Sequence, residues 1–141
     1  MNAGYVSAPL QRRVRDRASN RCEYCGVSQA GQEATFHVDH IRPRRDGGRT
    51  TLENLALACV SCSLRKGART SAIDPETEQL AEVFNPRSLD WRAHFELADD
   101  FRLVGRTPEG RATVQLLSMN RPLAIEIRRE EALKAKYLTP R

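Results

Sequence analysis

Cys22-Glu23-Tyr24-Cys25 and Cys59-Val60-Ser61-Cys62 bracket the run Phe36-His37-Val38-Asp39-His40-Ile41-Arg42-Pro43. Two CxxC pairs at this separation supply the four thiolates of a tetrahedral zinc site, and they use all four cysteines of the chain. The competing reading is a disulfide. No run approaches the ~18 apolar residues of a membrane span, and no charged-then-apolar leader suggests secretion. The expected setting is therefore a reducing cytoplasm, where clustered cysteines hold metal more often than they form disulfides. A site of four thiolates is closed and leaves no position for water or substrate. Cys22, Cys25, Cys59 and Cys62 are thus expected to hold structure rather than to react.

Outward from the clip, Phe36 to His40 reads as a strand, with Phe36 and Val38 on one face and His37 and Asp39 on the other. Pro43 ends it, and Arg44 to Thr50 is a polar loop containing Gly47-Gly48. Thr51-Leu52-Glu53-Asn54 looks like a brief helical turn with Thr51 as its cap. Leu55 to Ala58 makes a second strand, and Cys62 to Ala68 begins a basic helix. Strand, loop, strand and helix in that order form a ββα unit with one CxxC pair at the helix start. Ahead of it, Met1 to Pro9 has no periodicity and reads as a lead-in. Gln11 to Ser19 reads as a short basic helix.

The net charge of +5 is unevenly placed. Residues 1–40 contribute +1, from five arginines against four acids, and residues 71–141 contribute −1, from eleven bases against twelve acids. Residues 41–70 carry seven bases against Asp46 and Glu53, which is +5. An isolated basic run is ordinarily a solvated surface. This one surrounds the Asp39-His40 pair, where a polyanion would dock. Arg42, Arg44, Arg45, Arg65, Lys66 and Arg69 are the candidate phosphate contacts.

The double CxxC frame enclosing Asp39-His40, with Gly47-Gly48 and Asn54-Leu55 following, resembles the HNH endonuclease family of ββα-metal nucleases in its four-cysteine variant. The resemblance implies an α+β fold: a ββα-metal (His-Me finger) unit stapled by a four-cysteine zinc site. It also implies a metal-dependent hydrolysis of phosphodiester bonds in DNA. His40 takes the place of the general base and Asp39 that of a ligand to a catalytic divalent cation such as Mg2+. Asn54 takes the place of the residue that orients the loop and the base. Near-neutral titration suits an imidazole to proton abstraction, and a carboxylate suits a hard cation. The chain departs from the family at Ser63, where His or Asn usually supplies a second metal ligand. A serine hydroxyl is a weaker donor. His37, on the strand face of Asp39, is an alternative ligand, an orienting residue or a phosphate contact, and equally a structural histidine.

At 141 residues the chain is one domain's worth, and its aromatic content of 6% implies a modest core that a structural metal would help. The expected organisation is an HNH unit over residues 1–71 and a mainly helical extension over residues 72–141, packed on the same domain. Asp74-Pro75-Glu76 can open a helix that Asn85-Pro86-Arg87 breaks. Phe101 to Val104 alternates like a strand, and Thr107-Pro108-Glu109 starts a helix. A last helix spans Pro122 to Tyr137, with Glu130 and Lys134 as an i,i+4 pair. His94 reads as structural. Two further classes compete with the nuclease: a non-catalytic, zinc-stabilised nucleic-acid-binding module, and a structural zinc domain that recruits a protein. The second has no need of an Asp-His-Asn set.

Overall fold

The strand expected at Phe36 forms over His37–His40 (β1) and pairs antiparallel with Leu55–Ala58 (β2), matching His37 to Ala58 and His40 to Leu55. The computed structural model describes residues 5–138, so Met1–Gly4 of the expected lead-in lie outside the described residues. Every residue of β2 is buried, which explains its unbroken Leu-Ala-Leu-Ala character. Two groups cover its free edge. Glu23 donates its backbone N–H to the Leu57 carbonyl at 2.8 Å, and its carboxylate accepts from the Leu57 N–H at 2.8 Å. The first CxxC turn is thereby attached to the hairpin as a third edge.

Ahead of the clip, α1 spans Ala8–Arg17, three residues earlier than the sequence suggests at its start. Ser7 caps it by accepting from the Leu10 N–H, and Pro9 sits in the first turn, where an amide would have had no helical partner anyway. Arg15 donates to the Phe36 carbonyl at 3.0 Å. Arg17 donates to the carbonyls of Leu52 and Leu55, at 2.8 and 2.7 Å. These basic residues therefore clamp α1 onto the hairpin.

The 41–54 connection is tied to itself. Asn54 accepts from the Arg42 N–H at 2.9 Å and donates to the carbonyls of Arg42 and Arg49, at 3.0 and 2.9 Å. Gly48 packs so closely inside that knot that an added Cβ would lie 1.8 Å from the Arg42 oxygen. The brief turn at Leu52–Asn54 forms, but Thr51 makes no side-chain cap. The following helix, α2, spans only Val60–Lys66, with Cys59 rather than a later residue as its cap. It stops at Gly67, whose φ of 53° is one L side chains rarely adopt. Arg69 therefore lies beyond the helix.

In the extension the expected helix at Asp74 is a β-turn region instead. Ser71–Ile73 (β3) and Leu80–Glu82 (β4) pair antiparallel around it. The fully buried Asp74 carboxylate accepts from the Glu76 N–H and the Thr77 hydroxyl, both at 3.0 Å. It also accepts two bonds from the Arg111 guanidinium, both at 2.9 Å. Local side-chain acceptors of this kind compete with helix formation, and here the turn wins. A short helix, Trp91–His94 (α3), leads into a second hairpin, Phe95–Leu97 (β5) with Leu103–Gly105 (β6). The expected Phe101–Val104 strand is thus shifted toward its C-terminus, and Phe101 sits at φ 68° in the turn. Thr107 caps α4 (Pro108–Leu116) as its sequence implies. The last helix, α5, spans Pro122–Leu138, and its ion pair joins Glu126 to Arg129 rather than Glu130 to Lys134.

The extension is therefore helical with two small hairpins, and it shares a core with the first half. Val14, Tyr24, Leu55 and Leu57 lie in one apolar cluster with Phe84, Phe95, Leu117 and Met119. Trp91 donates from its ring to the Tyr24 carbonyl at 2.8 Å, and Arg87 pairs with Glu23. His94 bonds the Thr107 hydroxyl at 2.6 Å, a structural placement. Among the described residues, no helix is long and apolar enough to cross a membrane.

Candidate active site and metal centre

The hairpin ends bring the two CxxC pairs together. The four sulfurs lie within 4.8 Å of one another, all four residues are buried, and none is in a disulfide. Cys25 and Cys59 sulfurs are 3.7 Å apart. A tetrahedron of Zn–S bonds of about 2.3 Å requires sulfurs roughly 3.8 Å apart, whereas a disulfide requires about 2.05 Å. In each pair the first sulfur accepts an N–H from the second cysteine: Cys25 to Cys22, and Cys62 to Cys59, both at 3.4 Å. Hydrogen bonds from Cys22, Cys25 and Cys62 hold the Cys59 thiol well below its ordinary range, while burial pushes the Cys22 thiol up. The donor set and spacing fit a structural zinc ion.

One sulfur has a partner from far along the chain. Arg121, immediately before α5, lies 3.9 Å from the Cys59 sulfur by its Nη2. Glu131 of α5 accepts from the Ser28 N–H at 2.7 Å and pairs with Arg21 at 3.3 Å, on the other flank of the first CxxC turn. No sequence signal marks either contact.

Beside the staple, a cleft of about 280 Å³ is lined by Asp39, His40, Pro43, Arg44, Ser63, Gly67 and Ala68. β1 delivers the first two and α2 delivers Ser63. His40 is the last residue of β1, where the chain leaves the sheet, so strand alternation does not keep it from sharing the cleft with Asp39. Its Nε2 lies 2.8 Å from the Thr50 hydroxyl, a partner the sequence did not mark. Burial, followed by the nearby Arg44 cation, lowers the His40 pKa, with Asp39 opposing. His37 does not line this cleft; its Nδ1 lies 2.7 Å from the Ser63 hydroxyl. Asn54 bonds the 42–49 backbone and makes no hydrogen bond to His40.

Of the six candidate phosphate contacts, Arg42, Arg44, Arg45, Arg65 and Arg69 are exposed. Among the described residues none of them forms an ion pair. Lys66 departs from the expectation. It is 3% exposed, and its ammonium donates to the Ile41 carbonyl at 3.1 Å. Its place at the end of α2, under the 41–44 segment, removes it from the surface set.

Residues 22–69 match the family model of the HNH endonucleases. No curated protein and no solved structure matches the chain. An HNH unit points to a nuclease or nucleic-acid-binding function, and so to a nucleic acid as the partner. Residues 22–69 are therefore similar to the HNH endonucleases, with four cysteines positioned to hold a metal ion as in a zinc-bearing variant of that family.

Proposed function

We propose that the protein is a metal-dependent endonuclease hydrolysing phosphodiester bonds of DNA, with residues 1–71 as the nuclease unit and residues 72–141 packed on it as support. The observation that carries this reading is the cleft shared by Asp39, His40 and Ser63 beside Arg44. Hydrolysis needs a base for the attacking water and positive charge for the phosphate oxygens. His40 is the base. With its Nε2–H donating to Thr50, its Nδ1 carries the lone pair that takes the water's proton. A depressed pKa keeps it neutral and ready at pH 7.

A divalent cation such as magnesium, when bound at the cleft, supplies charge neutralisation to the phosphate and leaving oxygen. The Asp39 carboxylate has no hydrogen-bond partner among the described residues and lines the cleft, so it is the donor to hold that ion. Such an ion keeps several waters and takes one or two carboxylates, which suits a site with a single acid. Ser63 adds a hydroxyl, with His37 fixing its orientation. Asn54 holds the loop that carries Arg44 and Arg45, and these with Arg65 and Arg69 bind the backbone phosphates of the DNA, while Arg42 donates its Nε to the Asp46 carbonyl.

Relaxation of supercoiled plasmid in the presence of magnesium or manganese tests the reading. His40→Ala should lower cleavage by ~10²–10⁴-fold while zinc content and DNA affinity stay near those of the parent. Cleavage at the parent rate removes His40 as the base. A second reading, a zinc-stabilised module that binds nucleic acid without cutting it, is favoured by one observation: His37 occupies the Ser63 hydroxyl. A binder retards DNA in a gel but never relaxes the plasmid.

A further inference from the structure

The segments 41–44 and 66–70 each line two openings. Pro43, Arg44, Gly67 and Ala68 face the cleft of Asp39 and His40, whereas Ile41, Arg42, Lys66 and Thr70 line a neighbouring cavity of about 830 Å³. Asp46, Ser71 and residues 80–85, on and after β4, complete the wall of that cavity, so the extension and the HNH unit build it together. Its volume falls within the ~300–1,000 Å³ typical of small-ligand sites.

Its chemistry separates a base from a phosphate. Arg42 and Lys66 are balanced by Asp46 and Glu82, so the lining carries no net positive charge to attract a phosphate. Ile41, Leu80, Ala81 and Val83 supply apolar surface, and the charged groups and Asn85 supply donors and acceptors beside it. A flat neutral heterocycle with apolar faces and a hydrogen-bonding edge matches that mixture. The buried Lys66 ammonium adds a second point. One of its N–H groups is bonded to Ile41 and the Asp39 carboxylate favours its charge from a distance, but the other N–H groups have no hydrogen-bond acceptor among the described residues, although a buried charge is costly unless hydrogen-bonded. A ring nitrogen or carbonyl oxygen of a base would complete it.

We propose that this cavity seats one unpaired nucleobase next to the scissile phosphate, so that DNA with an extrahelical or single-stranded nucleotide beside the cut is the preferred substrate. This rests on the nuclease reading of the adjoining cleft. A base already out of the stack enters without the cost of unpairing, and that difference is the source of selectivity.

The test is binding by the zinc-loaded full chain, without added divalent cation so that no DNA is cut. One probe is a short duplex carrying a single extrahelical 2-aminopurine, and the other is the same duplex fully paired. The bulged probe should bind about tenfold tighter, at the low end of what one seated base contributes. Its fluorescence should change on binding. Ala81→Phe, which fills the cavity, and Lys66→Met, which removes the donors at similar volume, should each abolish the preference. Both should keep zinc and the parent affinity for paired DNA. Equal affinity of the parent protein for the two probes overturns the proposal, whatever the variants do. A preference that survives in either variant, with zinc content and melting temperature unchanged, also overturns it. Failure to relax supercoiled plasmid in the separate assay with magnesium or manganese overturns the nuclease reading itself, whereas plasmid relaxation together with equal affinity for the two probes overturns only the cavity assignment.

Discussion

His40 shows how neighbours set the charge of an imidazole. Burial and the Arg44 guanidinium both disfavour the imidazolium, and the Asp39 carboxylate opposes them without prevailing. The imidazole is therefore neutral at lower pH than an ordinary histidine, and cleavage should persist on the acid side of the usual value near 6.5. Arg44→Ala removes one of the two depressing influences, so the acid limb of kcat/KM against pH should move to higher pH. A limb that stays in place, or moves down, would show that the titrating group is not His40. Lys66 illustrates the opposite fate of a basic residue. Its position in a cationic run suggests phosphate contact, but its ammonium is turned inward to the Ile41 carbonyl and burial lowers its pKa.

The hairpin loop and the β3–β4 turn are each held by one polar side chain that takes several bonds. In the loop, Asn54 joins Arg42 to Arg49 around Gly48. Gly48→Ala puts a methyl against the Arg42 carbonyl, so the loop must shift. A loss of roughly 1–3 kcal/mol is expected in denaturant unfolding, together with weaker cleavage from displaced Arg44. Unchanged stability and activity would mean the loop yields freely. In the turn, Arg111 beside Asp74 holds its carboxyl well below the usual carboxylate range, with burial opposing. A depressed native pKa stabilises the fold above the unfolded value near 3.9, and that contribution disappears as pH falls through the native value. Arg111→Met should therefore unfold more easily than the parent at neutral pH, with the gap narrowing in strong acid. A gap independent of pH would assign the loss to packing alone.

The chain as a whole is organised around the four sulfurs. Both CxxC pairs, the hairpin between them and the start of α2 converge there, and the extension returns to the same place through Arg121 and Glu131. Binding at a structural zinc site is worth on the order of 10 kcal/mol, comparable to the net stability of a small domain. Cys59→Ser, or prolonged chelation, should therefore release one zinc per chain and unfold both halves in a single transition, because they share a core. Two separate transitions would show that the extension folds alone. Four thiolates around one zinc leave net negative charge, and the Arg121 guanidinium lies against it. Arg121→Met should keep the one-zinc stoichiometry but lose metal faster to a competing chelator. An unchanged release rate would leave Arg121 a bystander.

What the chain determines by itself is whatever spacing and periodicity can encode. The four-cysteine cluster, the ββα order, the Thr107 cap and the last helix are legible because each depends on residues close in sequence or on paired spacings. The locations of Asp39, His40 and Ser63 follow from the same frame. Tertiary structure decided the rest. Thr50 reaches His40, Arg121 reaches Cys59, Lys66 turns inward, and Arg111 completes the bonds of Asp74. In each case the deciding partner lies elsewhere in the chain or the outcome depends on burial. Which cation is covered and which carboxylate finds a guanidinium are set only when segments distant in sequence pack together, and local pattern carries no record of that contact.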